Sequence, residues 1–321
     1  MRTVHRLIPV VAFTVLLGPS VLIGQQPAAK HISLEQYLDW EDVQAPQLSP
    51  DATQIAFTRR WVDKMNDKWE NSVWIMNADG SRARQLVQGS DVKWSPDGKR
   101  IAYVAKGEPN GSQIFVRWMD GDVAPTQISH LTESPSGLEW APDGKSIAFT
   151  MNVPIRETWR IAMPTPPKGA KWTEAPKVIT RLNWRSDRVG FTDESYRHIF
   201  VIPADGGTAR QITNGDWNHS GPSFSADGKF LAFSSLREPD AEHAFRKSHI
   251  YVANLATGEI KQLTKRAGTS SGPQYSPDGK MIAFMSADSV DHSAWAETKL
   301  WVMNADGSNP HVVSGNLDRP I

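Results

Sequence analysis

The stretch Trp94-Ser95-Pro96-Asp97-Gly98, followed two residues later by Ile101-Ala102-Tyr103, decides the fold of this chain. Proline presets φ at the start of a tight turn, aspartate accepts hydrogen bonds from the backbone amides that follow it, and glycine adopts positive φ. Apolar residues stand on both sides of this turn. The stretch therefore predicts a β-hairpin with a short Asp-Gly connection.

Copies of this hairpin recur along the chain at nearly regular intervals. The complete copies share a turn aspartate, found at Asp51, Asp97, Asp143, Asp227 and Asp278. A weaker copy, Trp184-Arg185-Ser186-Asp187 before Val189-Gly190-Phe191, stands between the third and the fifth of six repeats. Successive aspartates are 40 to 51 residues apart, a period typical of a four-stranded propeller blade. We interpret the five aspartates of the complete copies as structural turn residues, because no single turn offers the roughly six to eight oxygen ligands that calcium needs.

A second hairpin follows the first within each repeat. Val73-Trp74-Ile75-Met76 precedes the turn Asn77-Ala78-Asp79-Gly80, and similar segments surround Ile199-Phe200-Val201 and Leu300-Trp301-Val302. Two hairpins give four strands, so the sequence predicts an all-β protein whose residues 45–315 form a β-propeller of about six four-stranded blades.

The two kinds of connection in such a repeat lie on opposite sides of the propeller. The short Asp-Gly turns share one side, and the connections between the second and third strands share the other. The long connections of this second kind run from Arg59 to Glu70, from Ser235 to Ser248 and from Ser286 to Thr298. Loops on a rigid scaffold commonly carry function, so this second side is where we expect a site.

The N-terminal residues predict export. Basic residues up to Arg6 precede an apolar run from Leu7 to Ile23, a pattern typical of a secretory signal peptide over residues 1–24. An uncleaved membrane anchor is the alternative, although the run is barely long enough to span a bilayer. Cleavage would give a periplasmic or secreted protein with no membrane segment.

A leading segment, residues 25–44, separates the signal peptide from the repeats. Ser33 and Gln36 form a capping-box pair within it, which predicts a short N-terminal helix.

Composition excludes several classes of function. The chain carries 35 basic and 35 acidic side chains, so no field of a single sign points to nucleic acid or to an anionic membrane. Cysteine is absent, which excludes disulfides, thiolate catalysis and cysteine-bound zinc. The nine histidines show no metal-binding spacing, and we expect neither a metal nor a cofactor; His219 and His249 are expected at strand edges or interfaces.

Gly268-Thr269-Ser270-Ser271-Gly272 matches the G-x-S-x-G pattern of a serine nucleophile. That pattern requires a buried strand before it and a helix after it, and the sequence indicates neither. The segment falls between the last strand of the fifth repeat and the first strand of the sixth. We interpret it as a loop and predict no catalytic residue in this chain.

The repeats resemble those of TolB-like propellers and of the propeller in prolyl oligopeptidase-family serine peptidases. Three wider segments are similar to the acylaminoacyl-peptidase and dipeptidyl-aminopeptidase branch of that family: Arg181–Asp187, Arg197–Val201 and Gln211–Ser220. The resemblance runs from about Ile32 to the last residue. It implies a propeller of about seven blades followed by an α/β-hydrolase domain. On that basis the chain is a truncated seven-bladed ring with residues 316–321 as the linker into a missing blade, and a divergent six-bladed protein is the alternative.

The resemblance also implies a function. The chain would be the non-catalytic propeller of an exported serine peptidase, gating the access of peptides to an α/β-hydrolase domain that is absent from this chain. Peptides and that domain would be its partners, and no nucleic acid is expected. A stand-alone TolB-like periplasmic scaffold that binds another protein is the alternative, and an enzyme that uses its own propeller channel is a third reading.

Six residues of the predicted loops are candidates for contact with a peptide or partner. They are Trp61, Trp69, Asp193, Glu194, Arg237 and Trp295. Tryptophans in such loops pack either on a partner or locally. Acidic propeller residues hold the free amine of the substrate in some aminopeptidases of the family that the chain resembles, whereas a solvated turn is the alternative for Asp193-Glu194.

Overall fold

The computed structural model describes residues 32–121, 123–155, 164–173, 179–187, 189–192, 194–244, 247–287 and 297–317. The expected signal peptide at residues 1–24 lies outside these ranges. The chain divides into a leading unit that ends at Trp40 and a body from Glu41 to Ile321. Within the described ranges, no helix is long and apolar enough to cross a membrane.

The leading unit contains the short helix that the sequence predicts. Helix α1 comprises Leu34–Tyr37, with Ser33 as its N-cap. The Gln36 backbone N–H donates to Ser33 Oγ at 3.2 Å, and the Ser33 N–H donates to the Gln36 side chain at 3.0 Å. This reciprocal capping box satisfies two of the free N–H groups at the helix start.

The described part of the body consists of antiparallel strands in chain order. They are β1 (Asp42–Leu48), β2 (Gln54–Asp63), β3 (Lys68–Asn77), β4 (Arg84–Gln88), β5 (Ser90–Trp94), β6 (Arg100–Lys106), β7 (Ser112–Trp118), β8 (Thr126–Gln127), β9 (Pro135–Trp140), β10 (Ser146–Pro154), β11 (Arg185–Ser186), β12 (Gly190–Phe191), β13 (Ser195–Pro203), β14 (Arg210–Gln211), β15 (His219–Phe224), β16 (Phe230–Ser235), β17 (His249–Asn254), β18 (Ile260–Gln262), β19 (Ser270–Tyr275), β20 (Met281–Ser286), β21 (Lys299–Asn304) and β22 (His311–Val312).

Five four-stranded sheets and one two-stranded ribbon contain these strands. The first sheet is β1–β4, the second is β5–β8, the third is β9, β10, β13 and β14, the fourth is β15–β18 and the fifth is β19–β22. Strands β11 and β12 pair only with each other. The predicted all-β fold built from four-stranded sheets is thus confirmed.

The Asp-Gly turns have the same hydrogen bonds in four of the five complete copies. In the fourth sheet, Ser225 Oγ donates to Asp227 Oδ1 at 2.7 Å, and the Lys229 N–H donates to the same oxygen at 3.1 Å. The Phe230 N–H then donates to Ser225 Oγ at 3.0 Å. The serine bonds at Asp51, Asp97 and Asp278 measure 2.6 Å each. Alanine replaces this serine before Asp143, which accepts from the Lys145 N–H at 2.9 Å.

The fourth repeat of the sequence differs from the expectation. Its weak turn forms the β11–β12 ribbon, and the hairpin at Ile199 that we assigned to it pairs instead with β10, from Ser146 opposite Pro203 to Pro154 opposite Ser195. Two aromatic residues at this ribbon stay on the surface, with Trp184 39% and Phe191 51% exposed. The blade count of six is therefore not confirmed.

A hydroxyl bond shows that the Ile199 hairpin completes an ordinary sheet. The Ile199 N–H donates to Thr213 Oγ1 at 2.9 Å. The Ile250 N–H donates to Thr264 Oγ1 at 2.9 Å in the fourth sheet, and the Leu300 N–H donates to Ser314 Oγ at 2.9 Å in the fifth. Strands β13 and β14 therefore occupy the third and fourth positions of the third sheet.

The connection predicted from Arg59 to Glu70 is also corrected. Strands β2 and β3 stay paired as far as Asp63 opposite Lys68, so these residues form a long hairpin rather than a loop. The β-branched and aromatic residues near the tip suit a pleated ribbon. Asp63 Oδ1 accepts from the Met65 N–H at 3.0 Å and closes the turn.

Consecutive sheets pack face to face through apolar side chains. Leu231 and Phe233 of β16 face the third sheet, where they meet Ala148 and Ile199. The opposite side of β16 and β17 meets the fifth sheet in a cluster formed by Ala232, Ile250, Ile282, Phe284 and Met303. Fully burying a side chain of this size contributes about 1.5–3 kcal/mol, so these interfaces hold the stack together.

Candidate functional site

Three buried histidines lie at the end of the third and fourth sheets that faces away from the Asp-Gly turns. We call this the loop end, because the connections between second and third strands are there. His198 is near the start of β13, and His219 and His249 are the first residues of β15 and β17. Their exposed fractions are 5%, 0% and 2%. The rings of His198 and His219 are 5.2 Å apart between centroids.

His219 is fixed by hydrogen bonds at both ring nitrogens. Nδ1 lies 3.1 Å from the backbone oxygen of Arg197, and Nε2 lies 3.0 Å from Arg237 Nη1. Because a guanidinium only donates, Nε2 accepts and the ring proton is on Nδ1, where it donates to Arg197. Burial lowers the pKa of His219 to about 3, so the ring is neutral at neutral pH.

Arg237 is held between this neutral histidine and an indole. Its guanidinium carbon lies 4.8 Å from the centroid of the Trp217 ring, and Trp217 Nε1 donates to the backbone oxygen of Glu238 at 3.0 Å. Burial lowers the pKa of Arg237, and a guanidinium nevertheless keeps its charge in proteins. Among the described residues, no carboxylate lies within ion-pair distance of Arg237.

Glu238, which follows Arg237 in the sequence, forms its ion pair with another cation. Lys247 Nζ donates to both oxygens of Glu238, at 2.8 Å and 3.0 Å, and this hydrogen bonding lowers the pKa of Glu238. His249 Nε2 lies 3.6 Å from the same carboxylate. Burial lowers the pKa of His249, and its Nδ1 is buried with no hydrogen-bond partner in the described part of the chain.

A second charged group borders this cluster. Arg181 donates through Nε to the carboxylate of Glu242, and its guanidinium carbon lies 4.3 Å from the centroid of the Tyr196 ring. Glu194, one of the predicted contact residues, accepts from Thr180 Oγ1 at 2.9 Å. Burial raises the pKa of Tyr196, which therefore stays protonated. The loop end thus presents both charge signs and exposed edges of aromatic rings.

The predicted contact residues divide between two places. Glu194 and Arg237 are at the loop end of the third and fourth sheets. Trp61 and Trp69 lie on the β2–β3 hairpin of the first sheet, where Trp69 is 51% exposed and its ring lies 4.0 Å from the guanidinium carbon of Arg60. Asp193 and Trp295 lie outside the described residues.

The prediction for His219 is a strand edge or an interface, and the structure places it in a cluster of buried histidines. Its place in the sheet is taken by Pro135 in the third sheet and by Ser270 in the fifth, as the strand registers show. A repeat-by-repeat alignment would have marked His219 as a departure. The place of His198 and His249 is taken in the second sheet by Gln113, which is also buried and accepts from Ser129 Oγ at 2.8 Å.

A groove of about 540 Å³ lies at the opposite end, between the fourth and fifth sheets. Its apolar lining includes Phe230, Val252, Leu263 and Tyr275, and its rim carries Asp227, Asp278 and Asp306. Each of these aspartates already accepts a backbone N–H of its own turn. The groove is therefore built from repeated turn elements, which favours the loop end as the functional site.

Ser270 is not part of the solvent-facing surface at either end of the sheets. It is the first residue of β19, rather than part of a loop as expected, and its exposed fraction is 0%. Its N–H donates to the backbone oxygen of Ser248 at 2.9 Å, and its Oγ lies 3.2 Å from Ser286 Oγ. A substrate could not reach this hydroxyl without opening the sheet. In the described ranges, no group of three or more histidines and acids is arranged to hold a metal ion.

Comparison with known proteins agrees with this fold. The family model for the dipeptidyl peptidase IV N-terminal region matches residues 165–270. The uncharacterized peptidase YuxL of Bacillus subtilis is 27% identical over 201 residues, which cover 61% of this chain and 30% of YuxL. Dipeptidyl-peptidase 5 of Porphyromonas gingivalis is 25% identical over 301 residues, which cover 88% of this chain and 43% of that protein.

Solved structures show the same architecture. The acylaminoacyl peptidase of Pyrococcus horikoshii superposes with a TM-score of 0.63 at 15% identity, covering 88% of this chain and 41% of that one. A TolB candidate from Agrobacterium tumefaciens gives a TM-score of 0.53 at 20% identity, covering 87% of this chain and 85% of that one. The chain spans less than half the length of the peptidases it matches. Together the matches support its assignment as the N-terminal propeller of a prolyl oligopeptidase-family peptidase.

Proposed function

We propose that this chain is the propeller of an exported serine peptidase and that it gates the access of peptides to an α/β-hydrolase domain. One observation carries the proposal. The region that matches the dipeptidyl peptidase IV N-terminal model, residues 165–270, contains the whole loop-end cluster, including His198, His219, Arg237 and His249. The part of the chain that matches this family model therefore also contains the buried histidine cluster.

In this function the propeller supplies binding and the hydrolase domain supplies chemistry. A serine, a histidine and an acid with an oxyanion hole would cleave the peptide on that domain. The loop end offers what a peptide needs for orientation: the half-buried ring of Trp217, the cation of Arg237 and the carboxylate of Glu194. Glu194, Trp217 and Arg237 lie one or two residues from the ends of β13, β15 and β16, and these rigid strands position them for a ligand.

Export is part of the proposal. The apolar run from Leu7 to Ile23 after basic residues supports a signal peptide, and peptide hydrolysis in the periplasm or outside the cell would follow.

The experiment uses the parent protein with its hydrolase domain. The coding sequence beyond Ile321 is read first, and we expect an in-frame G-x-S-x-G followed by an aspartate and a histidine. The parent is then assayed on a dipeptide amide and on peptides of about 20 residues, and we expect kcat/KM to fall steeply with length. A stop codon directly after Ile321, or equal rates at all lengths, would contradict the proposal.

A matched pair of variants tests the role of the loop end. Trp217→Ala removes the aromatic ring there, and we expect kcat/KM for the dipeptide to fall about tenfold, because ring contacts orient the substrate. Trp118→Ala serves as control, because Trp118 is 42% exposed but ends β7 at the turn side. Equal effects of the two substitutions would argue against peptide contact at the loop end.

A second function is favoured by the coverage of the TolB candidate, 85% of whose chain is matched, against 41% for the acylaminoacyl peptidase. Under this alternative the chain is a stand-alone periplasmic scaffold that binds another protein. A stop codon after Ile321, together with retention of a protein partner by the intact chain, would support it.

A further inference from the structure

Arg237 differs from three other partly buried cations in how its charge is balanced. Arg181 pairs with Glu242, Arg59 pairs with Glu41 and Lys247 pairs with Glu238. Arg237 has no such partner among the described residues, although the neighbouring Glu238 could have supplied one. A partly desolvated guanidinium without a counter-charge carries an energetic cost, which an incoming anion would remove.

The guanidinium is nevertheless held in a fixed position. Its Nη1 donates to the neutral His219, and its face lies on Trp217. Neither contact neutralises the charge, because His219 is an uncharged acceptor. Nε and Nη2 make no hydrogen bond within the described part of the chain, and Arg237 is partly exposed. Two parallel N–H groups of one guanidinium match the two oxygens of a carboxylate.

The charges around Arg237 support an anion rather than a cation as the ligand. His198, His249 and Tyr251 are the neutral titratable groups around Arg237, because burial lowers the pKa of the two histidines and raises that of Tyr251. The carboxylate of Glu238 is engaged by Lys247, and that of Glu242 by Arg181. The carboxylate of Asp216 acts on His198 but is not within ion-pair distance of Arg237. Arg237 therefore carries a positive charge without an ion-pair partner among the described residues.

We propose that Arg237, positioned by His219 and Trp217, is the anchor of a carboxylate-binding subsite for peptides at the loop end. The proposal deepens the function proposed above, on which it rests. The carboxylate comes either from the C-terminus of a short peptide or from an acidic side chain, and both present the same planar pair of oxygens. The subsite would favour peptides that carry such a group within reach of Trp217.

The experiment measures binding of three probes to the purified chain by calorimetry at low salt. The probes are acetyl-trialanine with a free carboxylate, the same peptide as its amide, and acetyl-Ala-Glu-Ala amide. We expect at least one acid to bind about tenfold more tightly than the neutral amide, because a bidentate, charge-assisted pair exceeds a neutral contact by about that factor. The acid that binds identifies the source of the carboxylate.

Variants assign the effect to the residue. Arg237→Gln should remove the preference for the acid while leaving the weak binding of the amide unchanged. Arg237→Lys should retain only part of the preference for the acid, because an ammonium group lacks the planar, two-pronged geometry of a guanidinium. Arg60→Gln is the matched control, since Arg60 also stacks on a tryptophan but touches no buried histidine. Far-UV circular dichroism of each variant checks that it folds.

Each outcome of these experiments either supports or overturns the proposed carboxylate-binding subsite. Equal binding of acid and amide, no measurable binding of any acid, or an acid preference that survives in Arg237→Gln would overturn it. If the amide binds at the loop end without any preference for acids, the subsite is wrong while peptide binding stands. If the acid preference is found but the parent protein cleaves peptides of all lengths equally, the subsite stands and the gating function falls.

Discussion

The fourth and fifth sheets share one frame but differ in two places. Their turns are the same, since Ser225 donates to Asp227 at 2.7 Å and Ser276 donates to Asp278 at 2.6 Å. At the loop end, however, His219 and His249 of the fourth sheet are replaced by Ser270 and Lys299 in the fifth. The residues that recur in both sheets therefore build the sheet. The departures from the repeat mark the two buried histidines that the fourth sheet has and the fifth lacks.

The second difference concerns the faces of the two sheets. Ala232 and Ile250 of the fourth sheet are 0% exposed, because the fifth sheet covers them. Their equivalents in the fifth sheet, Ala283 and Leu300, are partly exposed. No described strand of the first sheet packs closely against the fifth sheet. An apolar face without a cover favours association with another surface.

Truncating the equivalent residues Ile250 and Leu300 to alanine tests whether the two faces differ in burial. Of the changes that we propose, this one should have the largest effect on the free energy of unfolding. Ile250→Ala should lower the free energy of unfolding by about 2–5 kcal/mol, because it leaves a cavity between two sheets. Leu300→Ala should cost less than Ile250→Ala, because the Leu300 side chain is already partly exposed. Urea denaturation followed by tryptophan fluorescence measures both.

Equal costs at the two positions would show that the face of the fifth sheet is covered in solution. Light scattering at several protein concentrations separates the causes. We expect association that Leu300→Lys reduces, and a stable monomer at high concentration would argue that the chain covers this face itself.

Measuring the free energy of unfolding as a function of pH tests the difference between the loop ends of the fourth and fifth sheets. The folded pKa of His219, about 3, lies below the ordinary value of 6.5, so the unfolded chain binds the proton more readily. Its contribution to stability is complete above about pH 6.5 and is lost as the pH falls towards the folded pKa. The free energy of unfolding should drop by about 2 kcal/mol between about pH 7 and about pH 5.

His219→Gln should remove most of this slope, and the lowered pKa values of His198 and His249 should account for what remains. His311→Gln is the control, because His311 is exposed and lies in the fifth sheet. A slope that is unchanged in His219→Gln would show that this ring does not titrate as its burial requires.

The turns should behave alike in both sheets, with the smallest effects. Ser225→Ala removes a donor to Asp227 and an acceptor for the Phe230 N–H, and it should cost about 1 kcal/mol. Ser276→Ala removes the same bonds in the fifth sheet and should cost about as much. Thermal unfolding of the two variants tests this, and peptide binding should be unaffected in both. A change in peptide affinity in Ser225→Ala alone would move the site to the turn end.

Much of the frame could be predicted from the sequence, because each hairpin is encoded locally. The residues of the turn at Asp97 determine its conformation, and the apolar residues on both sides of it indicate the strands. The third sheet was misread because a weak copy of the turn at Asp187 lies inside the connection between β10 and β13. A period alone does not distinguish an insertion that resembles the repeat from a repeat.

The loop-end cluster was beyond sequence reasoning for a different reason. Arg197, His219 and Arg237 come from three separate segments. The pairing of β15 with β16 brings His219 close to Arg237, and the packing of the third sheet on the fourth adds Arg197. Arg237 was predicted as a contact residue from its place in a long connection, and the histidine that orients it was expected only at a strand edge. Contacts between sheets have no local signature.

The measurement that tests the central claim most directly is hydrogen–deuterium exchange of the purified chain with and without a saturating short peptide acid. We predict slower exchange in segments 195–198, 217–219, 235–244 and 247–249, which lie at the loop end, because a bound peptide would shield and order them. Segments 225–229 and 276–280 at the turn end should exchange as before. Protection confined to the groove lined by Phe230 and Tyr275, or no protection anywhere, would contradict the account.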